Sequence, residues 1–385
     1  MIVVKTFFWI FVSLVIYIYF GYPLLLFILS KLRPAPPTRQ ADITPTVSLI
    51  IPAYNEARVI AQKIDNALAL DYPKDKLEII VGSDGSTDCT NQIVAAYTDH
   101  QVRLVAFDTN RGKSSVQNEA AALATGEILV FSDASGMLQM DAIRKLVCHF
   151  ADEQAGSVGG AVRDRTTTGT AVSEANDIYW RYEVFLRRTE SRFGSLAMTS
   201  GSLFALRSSL FQPLPADVGD DFVLPLVTAR LGYRTLYEPA AISADELSSK
   251  SSEKFRQKVR IVSKDLRGLL YQRKLLNPVC FPRYAFSLYS HKLLRWLVPF
   301  WLLGVFVTNV FVCGETPYTI FLSIQVLFYL CALLGALMYR LNGKSPLFYI
   351  PFYFCLLNLA AAKGVWDYLR DKRMGKWQTE RGSAI

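Results

Sequence analysis

The sequence predicts an α/β fold, a mostly parallel sheet flanked by helices, set between apolar helices near both ends of the chain. Three observations carry this. From position 47 onward, short runs rich in Val, Ile and Leu alternate with helical stretches, and near-continuous apolar strands mean that both sheet faces are covered, as in parallel sheets. The run FFWIFVSLVIYIYFGYPLLLFILS (7–30) is uncharged and long enough to cross roughly 30 Å of hydrocarbon. A second apolar block fills 296–368. With 51% hydrophobic and 19% charged residues, the 385-residue chain is too apolar for an ordinary soluble protein and too charged for a bare membrane bundle.

The first apolar run is about twice the length of a signal-peptide core and is followed by KLRPAPPTR rather than a small-residue cleavage site, so it reads as a retained anchor. Lys31, Arg33 and Arg39 lie beyond it and only Lys5 before it. The positive-inside rule then places the globular region in the cytoplasm. RPAPPTRQADITP is a stiff, proline-rich exit from the bilayer. The strands follow as VSLIIPAYN, LEIIVGSDGSTD, VRLVAFD and EILVFSD, with helices expected near 60–70, 90–98 and 115–124.

The net charge of +9 is concentrated at 250–295 and after 370, beside the apolar segments, which points to anionic lipid rather than nucleic acid. Six cysteines show no paired spacing, and Cys313, Cys331 and Cys355 lie in apolar segments, which argues against disulfides or a zinc site. His100, His149 and His291 match no ligand motif and read as structural or surface residues.

Parallel α/β sheets bind ligands beyond the carboxyl ends of their strands. The first, second and fourth strands end in AYNE, GSDGSTD and SDASG. One such cluster is an ordinary turn; three at equivalent ends converge on one pocket. The first strand is not followed by GxGxxG, and the chain has no GxxxxGK[ST]. A pocket walled by carboxylates holds a phosphate through a divalent cation, here Mg2+ or Mn2+.

These motifs carry a resemblance. PAYNE (52–56), SDGSTD (83–88), Gly112-Lys113 with Asn118, and SDAS (132–135) resemble the nucleotide-sugar half of family-2 glycosyltransferases of GT-A fold. GSLFALR (201–207), GDDFVLPL (219–226) and QKVRI (257–261) are similar, in order, to that family's sugar and acceptor stretch, its base-bearing segment and its QxxRW element. The apolar ends fit the membrane branch that includes cellulose, chitin and hyaluronan synthases. The resemblance implies an anchor at 1–34, a linker at 35–46 and a catalytic domain at 47–247. Basic interface helices at 248–290, membrane segments at 291–370 and a basic tail at 371–385 complete the chain.

The resemblance also implies roles. Pro52, Ala53, Tyr54, Asn55, Glu56, Asp84, Lys113 and Asp133 would hold the donor nucleotide, Asp84 at the base or ribose and Lys113 at the diphosphate or base. Asp133 and Ser135 would meet the metal, although the family carries an acid where Ser135 stands. Asp221 would be the catalytic base, and Asp220, Gln257, Arg260, Gly201 and Ser202 would line the acceptor and diphosphate site. Two adjacent acids raise at least one pKa, which suits a base; an N-terminal capping pair for the helix FVLPLVTARLG is the simpler alternative.

Phe255, Val259, Val262, Leu266 and Leu269 recur at helical spacing between basic residues, the pattern of an interfacial amphipathic helix. Ile261 replaces the Trp of QxxRW, which disfavours a long processive product. The expected activity is an inverting transfer from a nucleotide-diphosphate sugar, a UDP-sugar ahead of a GDP-sugar. Its acceptor is a saccharide or lipid-linked hydroxyl in polysaccharide or glycolipid synthesis. A processive synthase and a silent nucleotide- or sugar-binding receptor are the alternatives.

Localisation is expected at the inner membrane, multi-pass, with the catalytic domain cytoplasmic. Apolar segments at 293–313, 318–339 and 346–369 join the first, but four crossings conflict with a basic tail and with Arg340 and Lys344 in the preceding loop. The last segment, carrying Pro346, Pro351, Asn358, Lys363 and Asp367, is therefore expected to be re-entrant or interfacial. WQTER (377–381) is loosely similar to a gating loop, with Arg381 at the diphosphate, against the alternative of a basic tail on lipid.

Overall fold

The computed structural model describes all residues except 99–100, 166–170, 246–249, 342–344, 373–374 and 376–385. The chain opens on α1 (Ile2–Ile16) and α2 (Tyr22–Leu32), joined through a wider turn at Tyr17–Gly21 into one helix from Ile2 to Leu32 that is long and apolar enough to cross a membrane. The linker returns to the domain where the Ala35 N–H donates to the Arg192 carbonyl at 2.7 Å.

Next come β1 (Val47–Ala53), α3 (Ile60–Leu68), β2 (Leu77–Ser83), α4 (Thr90–Ala95), β3 (Val102–Ala106), α5 (Lys113–Leu123) and β4 (Ile128–Phe131). All seven residues of β1 are buried, which only a sheet covered on both faces allows. The strands β3, β2, β1 and β4 pair in parallel in that order. Ile51, Val81 and Val130 pack under α3 and α6, while Ile50, Ile80 and Leu129 pack on the other face with α5 and α8. Here α6 is Ala142–Val147 and α8 is Asp220–Arg230.

The sheet is mixed beyond β4. It continues through β5 (Met137–Leu138), β6 (Ala155–Asp164), β7 (Phe204–Arg207) and β8 (Arg234–Asp245), with α7 (Ala171–Phe193) between β6 and β7. The spatial order is β3-β2-β1-β4-β7-β6-β8-β5, with β7 antiparallel to both β4 and β6. Sequence reasoning saw only the parallel half, because β5 has two residues and β6 reads AGSVGGAVRD, too rich in glycine for a strand signal.

The expected interfacial helix is α9 (Ser251–Tyr271), but its apolar stripe is not free for lipid. Val262, Leu266 and Leu269 share one core with Phe222 and Val223 of α8 and with Ala361 and Val365 of α14 (Pro346–Leu369). The expected span at 293–313 is bent. The stretch α10 (Pro282–Ser287), Leu288–Leu293 and α11 (Leu294–Trp296) meets α12 (Val298–Val312) at 58°, and Pro299 sits in the first turn of α12. At the far end of α12, Lys5 pairs with Glu315, just before α13 (Thr316–Arg340).

α13 and α14 are each long and apolar enough to cross a membrane. α14 also follows α9 in the same direction. Lys254 lies over the Tyr353 ring, the Val262 side chain meets the space beside Gly364, and Arg267 lies over Tyr368 and pairs with Asp371.

Candidate active site

The first two strand ends are laced together by their own polar side chains. Asn55 adopts a positive φ of 52°; its amide oxygen accepts the Thr87 N–H at 2.8 Å and its N–H donates to Ser86 Oγ at 3.1 Å. Asp88 accepts the N–H groups of Ala57 and Thr90. Asp84 is fully buried, and its two oxygens accept the N–H of Arg111 at 2.7 Å and of Gly112 at 2.8 Å. This carboxylate fixes the loop that leads into α5, so it shapes the pocket wall. Gly112 stands at φ +94°, and a side chain there would run into the Gly375 carbonyl; this turn needs glycine.

α5 begins at Lys113, whose ammonium lies 2.7 Å from Asp133 Oδ1 and 3.3 Å from Asp220 Oδ2. Burial disfavours that charge, but the carboxylates of Asp133 and Asp220 outweigh it and hold the lysine pKa above its usual value. Gln117, one turn on, donates to Asp220 Oδ2 at 2.7 Å. The Asn118 amide is spent on the Leu214 backbone, donating to its carbonyl and accepting its N–H, each at 2.8 Å.

Gly201 is the focal point. A side-chain carbon on it would lie 3.1 Å from Lys113 Nζ, 3.6 Å from Asp133 Oδ2 and 3.8 Å from Asp221 Oδ2. Its N–H donates to Asp221 Oδ2 at 3.2 Å, and the Asp221 carbonyl accepts the Thr199 N–H at 2.9 Å. The stretch before β7 and the first turn of α8 are thus locked around one open point. Burial and the neighbouring Asp220 raise the Asp221 pKa to about 6, which leaves a carboxylate that takes up a proton near neutral pH.

Two residues that sequence reasoning passed over, Lys63 and Lys264, complete the site together with the expected Ser202. Lys63 of α3 is fully buried beneath the 132–136 turn, where its ammonium donates to Ser132 Oγ at 2.7 Å and to the Gly136 carbonyl. Burial lowers its pKa to about 7. Ser202 Oγ lies 3.4 Å from both Asp133 Oδ2 and Asp245 Oδ2, linking the end of β8 to the turn. Lys264 of α9 feels Asp220 and Lys113; burial, followed by the neighbouring Arg260, lowers its pKa to about 8.

The chain's own donor set fits a divalent cation held jointly with a ligand. No group of three or more His, Cys, Asp or Glu residues suited to a metal occurs among the described residues. The part-exposed Asp133, with the Ser202 hydroxyl 3.4 Å away, matches the pattern of one carboxylate plus waters and phosphate oxygens, and Ser135 follows it two residues on. Arg260 is half-buried on α9, whereas the Gln257 side chain is exposed and makes no hydrogen bond among the described residues. Pro52 and Ala53 are buried in β1, Tyr54 and Glu56 follow at its tip, and Arg381 lies outside the described residues. His149 is bound by Glu238 at 2.8 Å and His291 by Glu190 at 2.6 Å, both as structural partners.

Residues 48–214 match the family model described as glycosyl transferase family 2. The chain carries a family 2 glycosyl transferase domain. Curated relatives agree. A probable glycosyltransferase, YdaM of Bacillus subtilis (strain 168), is 30% identical over 227 residues, 56% of this chain and 54% of the relative. An N-acetylglucosaminyltransferase of Mesorhizobium japonicum is 26% identical over 251 residues, 60% of this chain and 59% of the relative. Succinoglycan biosynthesis protein ExoO of Rhizobium meliloti is 26% identical over 216 residues, covering 52% of this chain and 60% of the relative.

The chain thus spans between about half and three fifths of the length of these relatives. Among solved structures, the mannosyltransferase PcManGT from Pyrobaculum calidifontis, in complex with GDP-Man and Mn2+, superposes with a TM-score of 0.74. At 24% identity it covers 95% of this chain and 100% of that one, and it shows the fold of this glycosyl transferase domain together with its helical ends.

Proposed function

We propose that this protein is a membrane-anchored inverting glycosyltransferase that moves a sugar from a nucleotide-diphosphate sugar to a hydroxyl acceptor in extracellular polysaccharide or glycolipid synthesis. The observation that carries the reading is the convergence of Asp133, Lys113 and Asp221 around Gly201, at the carboxyl end of the sheet. The GDP-Man and Mn2+ bound to PcManGT and the activities named for the curated relatives support it.

The donor nucleotide lies against the strand ends shaped by Asn55 and Asp84, and Lys113 takes the diphosphate as a point charge. A Mg2+ or Mn2+ ion held by Asp133 and Ser135 would neutralise charge developing on that diphosphate. The acceptor hydroxyl enters beside Gly201, and its oxygen attacks the anomeric carbon as Asp221 takes its proton. The bond from that carbon to the diphosphate oxygen breaks on the opposite face, and the diphosphate leaves with the electron pair. Asp220, Arg260 and Lys264 border the leaving group's side. Lys31, Arg33 and Arg39 after the first span support an inner-membrane protein with its catalytic domain in the cytoplasm.

The test is incubation of the detergent-purified protein with Mn2+ and a panel of UDP- and GDP-sugars, reading released nucleoside diphosphate. Release from at least one donor, dependent on the divalent ion, is expected; release from none overturns the reading.

A further inference from the structure

α8 and α9 approach each other unusually closely at the start of α8. A side-chain carbon on Gly268 of α9 would lie 2.6 Å from Val223 Cγ2 and 3.2 Å from Phe222 Cδ1, so glycine alone permits the contact. One turn back on the same helix stands Asp265, 3% exposed. The position a side-chain carbon would take on Gly219 is 3.3 Å from Asp265 Oδ1 and equally 3.3 Å from Asp221 Oδ1. Two glycines, one on α9 and one just before α8, therefore bring a second carboxyl close to the proposed base.

Three lysines face Asp265 and favour its charge, but none closes an ion pair on it. No hydrogen bond or salt bridge to it occurs among the described residues. The charged groups facing it are Asp221 from α8, Lys258 and Lys264 from its own helix, and Lys292 from the stretch between α10 and α11. Those facing Asp221 are Asp220, Lys113, Asp133 and Arg187. A buried carboxylate without a hydrogen-bond partner is costly, and a proton shared with a like neighbour relieves the cost.

We infer that Asp265 is a positioning residue of the transfer reaction, the second member of a buried carboxyl pair that straddles Gly219 and holds one proton jointly with Asp221. This rests on the reading of Asp221 as the base. The proton leaving the acceptor oxygen enters the pair, and it can lodge on Asp265 while Asp221 remains against the reacting atoms. The acceptor O–H bond breaks, one carboxyl O–H bond forms, and the electron pair stays on the attacking oxygen. Burial raises the Asp265 pKa to about 7, with Asp221 as the next cause, so the pair titrates near neutral pH.

Two readouts test this on the full-length protein in detergent. The first is the pH profile of kcat/KM for diphosphate release from whichever UDP- or GDP-sugar the wild type consumes. Asp265→Asn should move the acid limb down by about one pH unit, because Asp221, still beside Asp220, then titrates without the second buried carboxyl. Gly219→Ala should shift it the same way by wedging a methyl group between the carboxyls. Asp265→Glu should restore the limb toward the wild-type position.

The second readout needs no activity. A carboxyl whose folded pKa exceeds its unfolded value withholds stability as pH rises through the folded value, so the pair contributes a rise in Tm as pH falls from 8 to 6, against the opposite contribution of the buried Lys63 and Lys264. Asp265→Asn should lose part of that rise. An acid limb and a Tm profile both unchanged in Asp265→Asn overturn the pair, whatever the rate of that variant. Full transfer by Asp221→Asn would instead overturn the base assignment on which the pair depends.

Discussion

Asp84 and Gly112 are joined across the donor side of the pocket, the Asp84 carboxylate accepting the Gly112 N–H at 2.8 Å while its other oxygen takes that of Arg111. A buried side chain at the end of β2 thereby sets the turn on which Lys113 stands. Asp84→Asn offers one acceptor where two are needed and leaves a buried N–H unpaired, at a cost of about 1–3 kcal/mol. Donor affinity should fall by roughly ten- to hundredfold if that cost is paid in the loop. Competition binding with UDP or GDP checks this; unchanged affinity with an unchanged Tm contradicts it.

Lys63 supports the 132–136 turn from beneath. Replacing it by Met keeps the volume but strips Ser132 Oγ and the Gly136 carbonyl of their donor. The expected loss is about 1–3 kcal/mol of stability, seen as a lower Tm, together with a higher Mn2+ requirement as the Asp133 turn loosens. A Tm within error of wild type would show that the ammonium is not needed there.

Ser135 stands where related enzymes carry an acid. Ser135→Asp should lower the Mn2+ concentration for half-maximal diphosphate release several-fold, since a second carboxylate strengthens a hard-cation site. A superimposable metal titration places position 135 outside the coordination shell.

Membrane orientation is testable with the cysteines already present. Cys313 is exposed at the turn between α12 and α13, on the same end as the Lys5 to Glu315 pair, whereas Cys89 and Cys280 are exposed on the domain side. An impermeant maleimide applied to intact cells should modify Cys313 and spare the other two. Labelling of Cys89 from outside reverses the orientation. The return of Asp371 to Arg267 and of Gly375 to Gly112 places the start of the tail on the domain side as well, which fits α14 lying along α9.

The strand-end acids were legible because each follows an apolar strand directly, and backbone geometry alone sends such residues to one rim of the sheet. Asp133, Lys113, Gly201 and Asp221 are brought together there, as their spacing on successive strands and helices demands. Lys63 and Asp265 left a fainter trace. Each sits at the turn spacing of an apolar stripe, Lys63 three residues after Ile60 and Asp265 three after Val262, so each is a charge on an inward face. The antiparallel half of the sheet and the bend before α12 were not legible, since a two-residue strand and a 58° break depend on tertiary contacts.

The claim that Asp221 drives an inverting transfer is tested most directly by the anomeric configuration of the first sugar released from the donor. With water as acceptor, proton NMR of the early product should show the configuration opposite to that in the nucleotide sugar, appearing before mutarotation, and Asp221→Asn should release sugar at least a hundredfold more slowly, about what loss of a positioned general base costs. Release with the donor's own configuration, or undiminished release by Asp221→Asn, would contradict the account.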